Sequence, residues 1–233
     1  MDIATPIDPF ADARNRMVDS QVRPNRVTDP RILAAMRAIP RERFLPPAMA
    51  SLAYADQDVP LGNGRVLLAP MLTAKLIQLI APVVGERALV VACGVGYGAA
   101  VLAACGVRVI ALEQNEALLA VARTALVAAS PGVNLVAGAL AGGWPAEAPY
   151  DIVFIEGAVA SVPAAIAAQL RQQAGRLVTV IRGSIGGATG GGATGPGQAM
   201  RGETTQAGLQ LRPEFDCATP PIPALLPAPA FTF

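Results

Sequence analysis

A glycine-rich turn between two apolar runs is the feature that most constrains what this chain can fold into. The run 88–92 leads into glycines at alternate positions from 94 to 98, an alanine-rich segment follows, and a second apolar run, 107–112, ends at Glu113. Strand, glycine turn, helix, strand and acid, in this order, is typical of a nucleotide-type cofactor site. Glycines let the backbone approach a ligand, and a carboxylate after the second strand accepts hydrogen bonds from ribose hydroxyls. The pattern therefore predicts a cofactor turn at Gly94 and Gly96 and a ribose ligand at Glu113.

Strands alternate with helices on both sides of this turn. This alternation predicts an α/β fold with a doubly wound, mostly parallel sheet. The predicted strands are 88–92, 108–112, 133–136, 151–155 and 176–181, and the predicted helices between and after them are 99–105, 116–129 and 163–173.

The remaining segments extend this core within one domain. Within the N-terminal segment 10–80, residues from about 10 to 50 are predicted to be helical, and a loop at 56–64 and a helix at 71–80 follow. The core spans 85–182. The glycine-rich segment 183–200 is predicted to be a flexible loop, because it has too few apolar side chains to bury. Residues 201–233 are predicted to contribute edge strands, with candidates at 205–211 and 230–233.

Charge and hydropathy limit the classes of partner. Lys and Arg number 18 against 17 Asp and Glu, a balance that offers no electrostatic attraction to nucleic acid or to an anionic membrane. The mean hydropathy of +0.45 is high. However, turns interrupt the two uncharged stretches long enough to span a bilayer, 88–107 and 124–146, so buried strands and helices explain them better than membrane spans do.

Cysteine and histidine usage narrows the chemistry further. Three scattered cysteines form no Cys-x-x-Cys pair, which indicates a reducing cytoplasmic setting and neither a disulfide scaffold nor a zinc cage. Cys93 is interpreted as a small apolar filler, with a reactive thiol as the alternative. Histidine is absent, which excludes Ser-His-Asp and Cys-His hydrolases and histidine metal sites. No metal is predicted.

Several motifs, in order along the chain, resemble the protein-L-isoaspartate O-methyltransferase family. The matching segments lie within about residues 14–182 and are 17–23, 29–46, 53–64, 94–103 and 175–178. The resemblance implies a Rossmann-like methyltransferase fold, S-adenosylmethionine as cofactor, and a damaged protein or peptide with an isoaspartyl carboxylate as acceptor. Such a carboxylate is already ionised at neutral pH, so this chemistry needs positioning rather than a strong base. The lack of histidine does not argue against it.

The chain departs from the family at the substrate loop. The family carries Ser-x-Pro-His there, and this chain has Leu68 and Met71 at the serine and histidine positions. A leucine cannot donate a hydrogen bond to a carboxylate. No catalytic residue is therefore assigned from the sequence.

The cofactor motifs depart as well. Val90 replaces the acid of the family's Glu-x-Gly-x-Gly-x-Gly turn, Ala92 replaces its first glycine, and Ala139 replaces the Asp that faces the adenine. Each lost charge-assisted hydrogen bond weakens binding by about 1.5–3 kcal/mol. The remaining cofactor candidates are Gly94, Gly96, Tyr97 and Glu113. The alternatives are a turn that serves only strand-to-helix packing for the two glycines, core or rim packing for Tyr97, and a solvated acid at a helix start for Glu113.

Three functions remain open at this stage. The first is the family's S-adenosylmethionine-dependent protein carboxyl methylation; the second is an inactive member that acts as a binding scaffold; the third is a methyltransferase with another acceptor. Asp56, Asp58 and Glu156 are weaker site candidates, with loop capping or solvated acids as the alternative, and Trp144 is interpreted as packing. The oligomeric state is not determined by the sequence.

Overall fold

The computed structural model describes residues 8–182 and 196–227. The strands are β1 Val59–Gly62, β2 Arg65–Leu67, β3 Arg87–Val91, β4 Arg108–Glu113, β5 Asn134–Ala137, β6 Ile152–Val159, β7 Arg176–Ile181, β8 Gly197–Thr205 and β9 Gly208–Cys217. The α-helices are α1 Ala11–Met17, α2 Pro30–Ala38, α3 Pro70–Ile80, α4 Tyr97–Ala104, α5 Glu116–Ala129 and α6 Ala164–Ala167. Shorter 3₁₀ turns include Arg41–Phe44 and Pro47–Tyr54, and a π-helical turn, Val18–Val22, continues α1.

A seven-stranded sheet in the order β5-β4-β3-β6-β7-β8-β9 forms the centre of the fold. The first five strands in this order, β5, β4, β3, β6 and β7, are parallel. Strand β8 is antiparallel to β7, and β9 is antiparallel to β8. Val90 of β3 lies opposite Ala111 of β4 on one side and Phe154 of β6 on the other. The central strands are buried on both faces, which explains their continuous apolar runs. The predicted doubly wound, mostly parallel sheet is confirmed.

The N-terminal helices pack on one face of this sheet and join its larger apolar core. Helix α2 begins where the sequence favours a start: the Asp29 side chain accepts a hydrogen bond from the Arg31 N–H, and Pro30 follows Asp29. Its buried residues Ile32 and Met36 are one helical turn apart and join this core.

Two sequence predictions are wrong in the core region. The predicted loop 56–64 contains strand β1, which pairs with β2 in an antiparallel hairpin. The predicted helix 163–173 is only α6, because the chain turns back to β6: the Tyr150 N–H donates to the Gln169 carbonyl at 2.8 Å, and Leu170 pairs with Tyr150. These backbone groups are therefore not available to continue a helix.

The C-terminal predictions are partly corrected. Residues 206 and 207 of the predicted strand 205–211 form a hairpin turn, because β8 ends at Thr205 and β9 begins at Gly208. Strand β8 begins at Gly197, so the end of the predicted loop 183–200 pairs with β7. Residues 183–195 and the predicted strand 230–233 lie outside the described residues. Within the described ranges, no helix is both long enough and apolar enough to cross a membrane.

Candidate functional site

The glycine turn lies at the carboxyl edge of the sheet, between β3 and α4. Its backbone takes positive φ at Ala92 (59°), Gly94 (58°) and Gly96 (90°). The Cys93 N–H donates to the Leu112 carbonyl at 3.1 Å, which ties the turn to β4. This edge is where ligands bind in open α/β sheets.

The two glycines of the turn have different surroundings. A Cβ on Gly96 would lie 3.0 Å from the side chain of Leu126 of α5, a tight contact, so the packing of that helix favours glycine. A Cβ on Gly94 would meet only ordinary contacts, with Leu61 at 3.6 Å and the Arg65 Nη2 at 3.7 Å. The space above Gly94 is therefore occupied by the β1–β2 hairpin.

Glu113 ends β4 directly beside this turn and is fully buried. Its Oε2 accepts a hydrogen bond from the Gly94 N–H at 2.9 Å. Its Oε1 accepts from the N–H groups of Gln114 and Asn115 at 2.9 and 3.0 Å. Every one of these donors belongs to the protein, so the carboxylate is fixed at the edge before any ligand arrives.

Arg65 supplies the fourth donor to Glu113. Its Nη1 lies 3.0 Å from the Glu113 Oε1, and its Nη2 donates to the Ala92 carbonyl at 2.8 Å. The Arg65 side chain is only 8% exposed. The hairpin that carries it turns at Asn63 and Gly64, with φ of 51° and 70°. Asn-Gly is the strongest short-range signal for a two-residue hairpin turn, and it could have revealed this element from the sequence.

Tyr97 is placed differently from the other predicted cofactor residues. Its ring is fully buried, 4.6 Å from the Arg41 guanidinium and edge-on to Phe44. Burial raises the pKa of Tyr97 to about 12, so the hydroxyl stays neutral. The ring packs in the core, and only the backbone of Tyr97 lies at the start of α4, beside the turn. Its assignment to a cofactor stays a prediction, restricted to the backbone.

Arg41 is the largest fully buried side chain among the described residues. It donates to the carbonyls of Ala53 at 2.7 Å and Leu68 at 2.5 Å, and among the described residues its Nη1 has no hydrogen-bond partner. Burial lowers the pKa of Arg41. The sequence did not indicate a role for Arg41, although Arg41 contacts Leu68, which stands at the position of the family's serine.

Glu156 lies on β6, one residue past the last β3 pairing of that strand. It is 6% exposed, and its Oε2 accepts no hydrogen bond from the described residues. Burial raises the pKa of Glu156 to about 8, against the opposing effects of Arg65, Arg41 and a hydrogen bond from the Gly98 backbone. A Cβ on Gly98 would lie 2.5 Å from the Glu156 Oε1, so this carboxyl fills the space that Gly98 leaves.

The positions that depart from the family motifs lack polar side chains. Leu68 is fully buried, and Val90 is fully buried in the larger core. Ala139 is exposed just after β5. The Cys93 thiol is buried, and burial raises its pKa well above the usual value, which supports its interpretation as a filler.

The weaker candidates take structural positions. Asp58 ties the hairpin to its surroundings by accepting hydrogen bonds from the Ala69 N–H and the Thr219 hydroxyl, each at 2.7 Å. Asp56 is exposed. Trp144 packs against the second apolar core.

Comparison with known proteins identifies the family to which this chain belongs. The family model for protein-L-isoaspartate(D-aspartate) O-methyltransferase matches residues 12–185. The chain belongs to this family. A protein-L-isoaspartate O-methyltransferase of Methylorubrum extorquens is 42% identical over 184 residues, which cover 79% of this chain and 80% of that protein.

Solved structures show the same fold. A protein-L-isoaspartate O-methyltransferase superposes with a TM-score of 0.72 at 22% identity, over 90% of this chain and 65% of that one. A Plasmodium falciparum protein described by the same name, in complex with S-adenosyl-L-homocysteine, superposes with a TM-score of 0.70 at 17% identity, over 88% of this chain and 96% of that one. The predicted family and its Rossmann-like architecture are both confirmed.

Proposed function

We propose that this protein is a methyltransferase that uses S-adenosylmethionine and transfers a methyl group to a carboxylate of a damaged protein or peptide. Family membership supports the reaction class. The observation that carries the proposal in this chain is the position of Glu113, a buried carboxylate held by backbone N–H groups beside the positive-φ turn. A ribose with two adjacent hydroxyls is the group that such an acid recognises.

The residues at the edge fit this cofactor in three respects. The positive-φ turn at Gly94 and Gly96 lies at the sheet edge, Glu113 is in place for a ribose, and the Glu156 Oε2 is a buried acceptor that has no donor among the described residues. One contact opposes the fit, because the Arg65 guanidinium bonds to the carboxylate that the ribose would use. Gly94, Gly96 and Glu113, with the backbone of Tyr97, would hold the cofactor once Arg65 gives way.

When bound, the cofactor supplies an electrophilic methyl group on a sulfonium. The acceptor carboxylate is ionised at neutral pH, so no residue of this chain has to remove a proton from it. The task of the chain is to orient the acceptor and exclude water. At the position of the family's serine it has the fully buried, apolar Leu68, and a carboxylate buried there without a donor would cost several kcal/mol.

A binding scaffold without catalysis is the second candidate function. Two observations favour it: Leu68 is fully buried at the serine position, and Arg65 already satisfies Glu113. In this alternative, the glycine turn serves only the packing of α4 and α5, as the contact between Gly96 and Leu126 allows.

Calorimetric titration with S-adenosylhomocysteine separates the two candidates. Saturable binding with a Kd at or below roughly 100 μM, about −5.5 kcal/mol, supports the methyltransferase. No heat, together with no thermal shift at millimolar ligand, supports the scaffold and overturns the proposal. Transfer of labelled methyl to an isoaspartyl peptide, with the matched aspartyl peptide as control, then tests the acceptor.

A further inference from the structure

We infer that Glu156 binds the positively charged ammonium at the amino-acid end of the cofactor, and so replaces the acid that this chain lacks at Val90. The inference rests on the proposed function, since it needs the cofactor to bind at this edge. It assigns a role to a residue outside the family's motifs.

The position of Glu156 on the sheet is the first support. Val90 and Val91 of β3 lie opposite Phe154 and Ile155 of β6, so Glu156 reaches the sheet edge level with the start of the glycine turn. The family's acid belongs to β3, two residues before that turn begins. A carboxylate on the neighbouring parallel strand arrives at the same edge because parallel strands end together.

The unsatisfied oxygen of Glu156 is the second support. A carboxyl that is 6% exposed loses most of its hydration, and such groups are normally compensated by hydrogen bonds or a counter-charge. Here one oxygen faces the Gly98 backbone at the start of α4, and the other has no donor among the described residues. A ligand ammonium, with three N–H donors, has the chemistry that this oxygen lacks.

The charged groups around Glu156 are engaged with partners of their own. The charged groups that influence the pKa of its carboxyl are Arg65 on β2 and Arg41 in the 3₁₀ turn, which lower it, and Glu113 on β4, which raises it. Arg65 is bonded to Glu113, and Arg41 is bonded to two backbone carbonyls. Neither arginine donates a hydrogen bond to Glu156, so its Oε2 can accept one from a ligand.

The test compares two ligands and two variants. S-adenosylhomocysteine carries the amino-acid ammonium, and 5′-methylthioadenosine has the same adenosine and thioether but lacks that end. Glu156→Gln keeps the shape and removes the charge, while Glu214→Gln removes an exposed carboxyl on the distant strand β9. We expect E156Q to weaken S-adenosylhomocysteine binding about tenfold or more. It should leave 5′-methylthioadenosine unchanged, and E214Q should match the wild type for both ligands.

Proton release gives a second readout that a purely structural role would not produce. Because the pKa of Glu156 is raised to about 8, its carboxyl is mostly protonated at pH 7 and must ionise when a cation binds. Calorimetry in buffers of different ionisation enthalpy should detect release of close to one proton with wild type and S-adenosylhomocysteine. E156Q should not show this release.

Each other outcome has a distinct meaning. Equal affinity of wild type and E156Q for S-adenosylhomocysteine overturns the role of Glu156 and leaves the proposed function intact. Equal loss of both ligands in E156Q also overturns it, because the carboxyl would then only support the fold of the turn. Failure of the wild type to bind either ligand overturns the proposed function, and the inference with it.

Discussion

At the scale of single residues, the site is defined by which buried charges already have partners. Glu113 has Arg65 and three backbone N–H donors, whereas Glu156, within the part of the chain that the structure describes, has a backbone contact for one oxygen and no donor for the other. Buried charges cost free energy unless they are paired, so these two acids are in different energetic states although they share one edge. In the proposed function, the cofactor has to displace a partner at Glu113 and can supply one at Glu156.

Replacement of Arg65 by Gln should strengthen cofactor binding and weaken the fold. The guanidinium competes with the ribose for Glu113, so its removal should raise the affinity for S-adenosylhomocysteine, by about tenfold if one molecule in ten is open in the wild type. Unfolding should become easier by about 1–3 kcal/mol, because a buried carboxylate loses a partner but keeps its backbone donors. Calorimetry and urea unfolding measure the two effects.

The matched control is Arg123→Gln, because Arg123 is exposed on α5. It should change neither the affinity nor the unfolding free energy appreciably. Unchanged or weaker ligand binding by R65Q would contradict the competition, and would mean that Arg65 is neutral toward the ligand or belongs to its binding site.

Substitution of Gly98 by Ala should reveal the contact with Glu156. Alanine in a helix is normally more stable than glycine by about 1 kcal/mol. Here its Cβ would lie 2.5 Å from the Glu156 Oε1, so G98A should destabilise the wild type. In a Glu156→Ala background the same change should be neutral or stabilising. Urea unfolding of the four proteins gives the coupling free energy, and additive effects would contradict the contact.

At the scale of elements, the hairpin β1–β2 determines access to the edge. It carries Arg65 and Leu61 over the glycine turn and continues directly into Leu68 and α3. The hairpin therefore contacts the cofactor candidates and also leads directly into the segment that corresponds to the family's substrate loop. A movement of this hairpin would expose Glu113 and alter the acceptor side at the same time.

Combined Leu68→Ser and Met71→His substitutions should raise methylation of an isoaspartyl peptide, because they restore a hydroxyl and an imidazole that can hydrogen-bond the acceptor. Leu68 is fully buried, so the change also costs about 2–4 kcal/mol of stability through lost packing. Methyl transfer should be measured at a temperature where circular dichroism shows the variant folded. Unchanged transfer by a folded variant would count against a simple loss of the catalytic pair. Leu68→Ala is the control for the cavity alone.

At the scale of the whole molecule, burial of Glu156 makes stability depend on pH. The pKa of its carboxyl is raised to about 8 in the folded protein, from a usual value of 4.5. The folded state therefore holds a proton that the unfolded chain has released between these two values. The resulting stability is fully present below the lower pKa and is lost as the pH rises through the upper one.

The unfolding free energy of the wild type should therefore fall relative to that of Glu156→Gln as the pH rises from about 5 to about 8, by at most about 1.4 kcal/mol for each pH unit. The difference should level off above this range. Urea unfolding of both proteins across these conditions measures it, and the other titrating groups cancel because both proteins share them. A constant difference would show that the carboxyl ionises normally.

The sequence by itself determined the fold class of this protein and the order of its central strands and helices along the chain. Apolar runs of strand length, glycines after the first run and an acid after the second predict a parallel sheet with Gly94, Gly96 and Glu113 at one edge, because these local signals act within a few residues. The hairpin was missed although Asn63-Gly64 indicates it, and helix 163–173 was overextended because Tyr150 pairs with Leu170.

Only the tertiary structure decided which side chains meet at that edge. Arg65 reaches Glu113 across 48 residues of sequence, Gly98 leaves space for Glu156, and the ring of Tyr97 turns into the core against Arg41. No local pattern encodes these contacts, because each depends on how separate elements pack and on which buried charges are left without partners.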